Sequence, residues 1–396
     1  MFKIPISKAA AAMEPEEAFI YLAKGMELKK RGVDVVSFGI GQPDFKPPSF
    51  AIEAVKKAVD EYSGYGPAGG MPELREAVAE YLNSRYGAGV EPGEVMITVG
   101  GKAAVFLAMA AVLEPCDEVI IPDPGYPAYA SVARFMGAIP VYLRLSGENG
   151  YRVRYEDVER LVGPNTKMIV LNYPENPVGT TMRREDVDAI LDLAEDRGIA
   201  VLSDEIYDNF VYDGGHYSVL QHEGWRSVAM YANGFSKTFA MTGWRLGYLV
   251  ADKAVIERAE TMANNIYSCP VTFAQVAAAE ALRHDPELKW FEPIKEEFRV
   301  RRDLIYEKLT EIPGVKAVKP EGAFYAFPDF SGVIERKRLR DERELADRLL
   351  YEAHVVVLPG SAFPGRAGRG HLRFSFATGR EDIERGMERV KEWVES

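Results

Sequence analysis

Lys237 sits in the stretch GFSKTFAMTGWRLGY, residues 234–248. Glycines and bulky apolar residues (Phe235, Phe239, Met241, Trp244) surround it, the composition of a close-packed segment. A lysine held out of water loses proton affinity and becomes a usable nucleophile. Other polar groups recur just beyond β-branched runs: Asn172 and Asn176 in NYPENPVGTT, Asp204 and Tyr207 in LSDEIYD, Tyr126 in DPGYPAY. Gly100, Gly101 and Lys102 follow VMITV and open a helical pattern. A glycine pair at the head of a helix suits an anion, because backbone N–H groups point outward there and the helix N-terminus is positive. The spacing is neither a Walker loop nor a dinucleotide fingerprint, and GIGQPDF lacks the third glycine. A single phosphate is therefore the expected anion, with Ser236 and Arg245 available to close around it.

Taken singly, each residue has a plainer explanation. Asp204 could be a helix cap, Gly100–Gly101 a tight turn, Tyr126 loop packing and Arg245 half of a surface ion pair. Their common placement at strand ends weighs against coincidence, because an open α/β sheet binds ligands at the carboxyl ends of its strands. A phosphate, a reactive lysine amine, an acid and phenols together match pyridoxal 5'-phosphate. Its aldehyde forms a Schiff base with lysine, its pyridine nitrogen wants an aspartate, and its phenolic oxygen accepts hydrogen bonds.

The elements that must position these groups follow from periodicity. Short apolar runs at 95–98, 118–122, 167–172, 199–205, 227–232 and 246–251 read as buried strands. Amphipathic helices lie between them, one of them REDVDAILDLAEDRG with Gly198 as its expected C-terminal stop. Alternation of this kind predicts an α/β domain with a mixed, mostly parallel sheet covered by helices on both faces. After a charged helix predicted over 286–311, the chain changes to a smaller α+β pattern. The first 47 residues carry one helix and no sheet of their own, and are expected to pack on that smaller unit. The predicted division is 48–290 for the large domain, with 1–47 and 291–396 forming the small one.

Composition sets the outer limits. The chain has 396 residues, 47% hydrophobic and 27% charged, too long for one ordinary core. A net charge of −12 argues against nucleic acid as a partner. Two cysteines, Cys116 and Cys269, imply no disulfide framework. No metal site is expected. The opening MFKIPISKAAAAMEPEEAF has no apolar core suited to a signal peptide, and the longest apolar run, 103–113, is too short to span a bilayer. A cytoplasmic protein without membrane partners is expected.

The motifs resemble those of fold type I pyridoxal-phosphate enzymes, class I/II aminotransferases, and within them the prokaryotic and archaeal aspartate aminotransferase-like branch. GFSKTFAMTGWRLG is similar to the family's lysine signature, NYPENPVGT to its asparagine–proline stretch and LSDEIYDNFVYDG to its D-E-x-Y stretch. GIGQPDF, YGPAGGMPELREA and HLRFSFA resemble its N-terminal, subunit-interface and carboxylate-binding segments. The resemblance implies that Lys237 forms the Schiff base and then shuttles the substrate proton. It implies that Asp204 pairs with the pyridine nitrogen, that Asn176 and Tyr207 bond the phenolic oxygen, and that Tyr126 stacks on the ring. Gly100, Gly101, Lys102, Ser236 and Arg245 would surround the phosphate, and Tyr65 would reach the phosphate of a neighbouring subunit in a homodimer. Arg373, helped by Gly41, Tyr126 and Asn176, would bind the substrate α-carboxylate.

The activity so implied is ping-pong transamination from an L-amino acid (aspartate, alanine or aromatic) to a 2-oxo acid, 2-oxoglutarate. A β-lyase acting on cysteine conjugates would use the same constellation. A non-catalytic ligand sensor would need an added DNA-binding domain, for which no helix-turn-helix fits. Two departures stand out: Cys116 occupies a turn position where the family usually has glycine, and no second arginine is placed for a distal carboxylate. The EAFIY stretch at 17–21 is apolar for the entrance of a dicarboxylate site.

Overall fold

The structure, a computed structural model, describes residues 4–396. Among the described residues twelve strands run in chain order: β1 Val36–Ser37, β2 Val95–Thr98, β3 Glu118–Asp123, β4 Ile139–Arg144, β5 Thr166–Asn172, β6 Ala200–Asp204, β7 Ala229–Gly234, β8 Gly247–Val250, β9 Tyr325–Ala326, β10 Val355–Val356, β11 Leu358–Pro359 and β12 Leu372–Ser375. Seven of them form the central sheet in the order β2-β8-β7-β6-β5-β3-β4. All its pairs are parallel except those of β8, which runs antiparallel to both β2 and β7. The sheet is thus mixed and mostly parallel, as its alternating helices and apolar strands predict. Every residue of β2, β7 and β8 is buried, because helices cover both faces.

Strand β4 was not among the predicted strands. Its sequence IPVYLR carries Pro140 and an exposed Ile139. Proline is tolerated there because β4 is an edge strand, and it masks the β pattern in the sequence. The helix Arg184–Arg197, between β5 and β6, ends on Gly198 at φ 64°, the left-handed stop expected of it. Cys116 also adopts φ 77°, so a side chain occupies the left-handed turn position where glycine was expected.

The remaining strands form two small sheets. Strands β11, β12 and β9 pair antiparallel, and β1 pairs parallel with β10. The N-terminal segment has no sheet of its own but contributes β1 to one shared with the C-terminal unit. Two residues are too few to show a period, so β1 is defined by its partner. That segment also touches the helix Pro127–Phe135, where the Glu14 N–H donates to Ser131 Oγ (3.4 Å). The charged helix expected from 286 begins at Glu292; Leu288 turns at φ 53° and Asp285 caps the Trp290 N–H ahead of it. No helix among the described residues is long and apolar enough to cross a membrane.

Candidate active site

A cavity of about 530 Å³ opens at the carboxyl ends of β2, β3, β5, β6 and β7. Lys237, three residues past β7, extends into it and donates from Nζ to the Gly41 carbonyl (2.6 Å). The rings of Tyr207 and Phe324 lie 5.6 and 5.7 Å from the amine. Burial, reinforced by the Arg373 charge and partly offset by Asp204, pushes the amine down to about 8. The cofactor-free protein should therefore be modified at Lys237 by an amine reagent such as cyanate with a midpoint near pH 8. A midpoint at the ordinary lysine value, followed by peptide mapping, would show that the amine is solvated.

Asp204 ends β6 and is buried. Its Oδ2 accepts from the Tyr129 hydroxyl (2.8 Å) and its Oδ1 from the Ile206 N–H (3.3 Å). Burial outweighs these bonds and raises the carboxyl to about 6. Asn172 fixes the same strand end, donating to the Asp204 carbonyl (2.9 Å) and accepting the Asn176 N–H (3.1 Å). Tyr207 shares a hydrogen bond with Tyr325, oxygen to oxygen at 2.8 Å.

Gly100 adopts φ 89°, and a Cβ there would collide with the Arg245 guanidinium. Only glycine fits that turn. The first helical bond of Gly101–Val112 comes from Ala103, whose N–H reaches Gly100, so the Gly101 and Lys102 amides precede the ladder. Arg245 is held at the cavity rim by the carbonyls of Thr242 (2.9 Å) and Val99 (3.3 Å). Ser236 is buried in the same wall. The Lys102 side chain instead ion-pairs with Glu16, whose Oε1 also accepts from Tyr126 (2.8 Å).

Arg373, from β12, is buried and donates to the Asn176 Oδ1 (3.0 Å) and the Gly39 carbonyl (2.6 Å). Its guanidinium lies 4.4 Å from the Tyr325 ring centre, and its Nε has no partner. Among the described residues no carboxylate lies within ion-pairing distance of it. A buried guanidinium without an anion is costly unless an anion arrives.

Thirteen of the fourteen candidate site residues named from the sequence meet at or beside this cavity; Gly100, packed against Arg245, is one of them. Tyr65 does not join them: it is 92% exposed. Three side chains that hydrogen-bond or ion-pair with the site groups were missed. Tyr129 stands one helical turn after Tyr126 in DPGYPAY, a spacing that could have marked it. Tyr325 lies in GAFYAF, and nothing local distinguishes it from the aromatic residues around it. Glu16 carries no signal at all, since the fold alone brings it beside Lys102.

The sequence pattern of the family described as aminotransferase class I and II matches residues 33–390. The chain belongs to that family. It is 40% identical to an aspartate aminotransferase of Sulfurisphaera tokodaii, over 98% of this chain and 97% of that one. It is 39% identical to an aromatic-amino-acid aminotransferase of Thermococcus litoralis, over 93% and 92% of the two chains. Aspartate aminotransferase from Thermus thermophilus with maleate superposes with a TM-score of 0.93 at 38% identity, covering 98% of this chain and all of that one. The protein is a pyridoxal-phosphate-dependent aminotransferase of fold type I.

The residues present fit the cofactor on their own chemistry. A lysine amine poised near neutrality suits a carbonyl. A carboxyl raised by burial, at the end of β6, suits a protonated ring nitrogen. Free helix-end amides beside an arginine suit a phosphate.

Proposed function

We propose that this aminotransferase works by a ping-pong cycle in which aspartate, alanine or an aromatic amino acid gives its amino group to 2-oxoglutarate. The observation that carries the assignment of roles is Arg373, a buried guanidinium without an anion, facing the same cavity as the Lys237 amine. Bound pyridoxal phosphate supplies the carbonyl that takes up nitrogen and the ring that accepts the Cα–H electron pair. Arg373 binds the α-carboxylate, with the Asn176 side chain beside it, and so orients Cα. Lys237, neutral in a large fraction of molecules near pH 8, takes the Cα proton and returns it one carbon away. Asp204, steadied by Tyr129, holds a proton at the ring nitrogen. Tyr207 and Asn176 donate to the phenolic oxygen, and Tyr126 covers the ring. Gly100, Gly101, Ser236 and Arg245 hold the phosphate; Lys102 contributes its backbone amide, with its side chain committed to Glu16.

The layout of the sheets supports two domains, 48–290 and 1–47 with 291–396, with the catalytic lysine and the carboxylate-binding arginine on opposite members. Tyr65 has no role within its own chain. Its exposure, with that of Ile266 and Val271, suits a surface covered by a second copy whose phosphate it reaches. Mixing Tyr65→Phe and Lys237→Ala subunits should restore one intact site per hybrid dimer, seen as more activity than either parent gives. A mixture no better than its parents would place Tyr65 outside the neighbouring site.

The distal wall bears on the donor. Glu16 neutralises Lys102, so an apolar or aromatic side chain meets no net charge there, while aspartate must compete for Lys102. Donors added singly to the holoenzyme without an oxo acid, followed by the visible band, test the reading. Alanine, aspartate and tyrosine should each convert the cofactor, and no conversion by any amino acid would refute transamination. In Glu16→Gln, which keeps an acceptor for Tyr126, preference for aspartate over tyrosine should rise about tenfold, the 1.4 kcal/mol scale of one charge-assisted bond.

A further inference from the structure

Asp123 is the last residue of β3, buried, and three residues before Tyr126. Its carboxylate bonds nothing on its own sheet. It accepts instead the backbone N–H groups of Arg366 (2.9 Å) and Ala367 (3.0 Å), from the C-terminal unit. Gly365 lies so close that a Cβ on it would overlap the Asp123 carboxyl, and its φ is +88°. The segment 360–371 is pinched shut at its base: the Gly360 N–H reaches the His371 carbonyl (2.8 Å), and Gly368 packs directly on Gly360. Both ends of this strap lead to Arg373. Phe363 lies 5.4 Å from the guanidinium, and His371 runs straight into β12.

A second buried acid faces the first. Glu175, next to Asn176, is 2% exposed with an unpartnered Oε1. Burial and the Asp123 charge push its carboxyl well up. Burial raises Asp123 as well, but the two N–H bonds and Arg144 on β4 oppose the rise. The two N–H groups favour the charged form of Asp123, and its carboxylate oxygens are directed at the strap.

We propose that Asp123 is a positioning residue for substrate binding: it fastens the 360–371 strap to the end of the central sheet and thereby fixes Arg373 at the cavity. The inference rests on the reading that Arg373 takes the α-carboxylate. A strap that is released leaves the lysine and the cofactor groups in place and loosens only the arm that grips substrate. Asp123 acts through backbone amides, so Asp123→Asn retains one acceptor and should fall between wild type and Asp123→Ala.

The test uses the holoenzyme. Asp123→Ala should raise the donor KM at least tenfold, with kcat changed less than threefold and the visible cofactor band retained. Arg366 and Arg369 lie exposed in the strap, and trypsin should nick there at least fivefold faster in the variant. Gly365→Ala lifts the strap from outside without removing a buried group, and should reproduce both effects if Asp123→Ala fails to fold. KM and strap cleavage within twofold of wild type in either folded variant would overturn the proposal, as would a fall in kcat at constant KM. Arg373→Lys separates the two failures. An unchanged KM there sinks the carboxylate reading itself, whereas a raised KM there with unaltered Asp123 variants sinks only the strap.

Discussion

Replacing Lys237 by alanine abolishes turnover, with an expected loss beyond about 10⁴-fold, because one residue serves as both cofactor anchor and general base. The fold survives the change. Lys237 makes one hydrogen bond, to the Gly41 carbonyl, and its ammonium is disfavoured by burial. The sign follows from its folded value of about 8, below the ordinary 10.5. Below pH 8 the amine is charged in both folded and unfolded chains, and burial opposes folding in full. The penalty fades as the pH climbs from 8 towards 10.5. Cofactor-free Lys237→Ala should thus melt no lower than wild type at pH 7, with any advantage gone above pH 10.5. Near-normal activity in this variant would refute the assignment of the nucleophile.

Asp204→Ala is expected to cost about 10²–10⁴ in kcat/KM, the 3–5 kcal/mol range of a buried charge pair that loses one partner. The loss has a pH signature of its own. Burial raises the carboxyl to about 6 in the cofactor-free protein, so the folded state holds a proton that the unfolded chain releases between 3.8 and 6. This contribution to stability is full below 3.8 and disappears as the pH rises through 6. A cationic ring nitrogen reverses the preference, so cofactor affinity should increase across pH 6 in wild type and lose that step in Asp204→Ala. Equilibrium titration of the visible band at several pH values checks both. A pH-independent affinity would leave Asp204 as a helix cap and nothing more.

The polar groups at strand ends were readable because sheet geometry converts a linear pattern into a common edge. Lys237, Asp204, Asn176 and Gly100 each follow an apolar run, and parallel strands deliver those ends to one side. The phenols were harder. Tyr129 and Tyr325 acquire their partners from elements 75 and 118 positions away in the chain, a relation that no local period encodes. Glu16 meets Lys102 by the same kind of distant closure. Strand β1 consists of two residues whose pairing with β10 exists only after the chain has returned from the far end. Tyr65 belongs to a different category, since its proposed function needs a second chain.

Strand β2 has a single neighbour in the sheet, β8, which pairs Thr98 with Gly247. During synthesis the anion-binding turn at Gly100 thus leaves the ribosome long before the strand that braces it has been made. Pairings so distant in sequence form slowly. The nascent chain must carry the apolar β2 edge unpaired until residue 250 has emerged. Pyridoxal phosphate can assist this fold only after translation has passed β8, and supplying the vitamin should rescue late-stage folding defects while leaving early ones untouched.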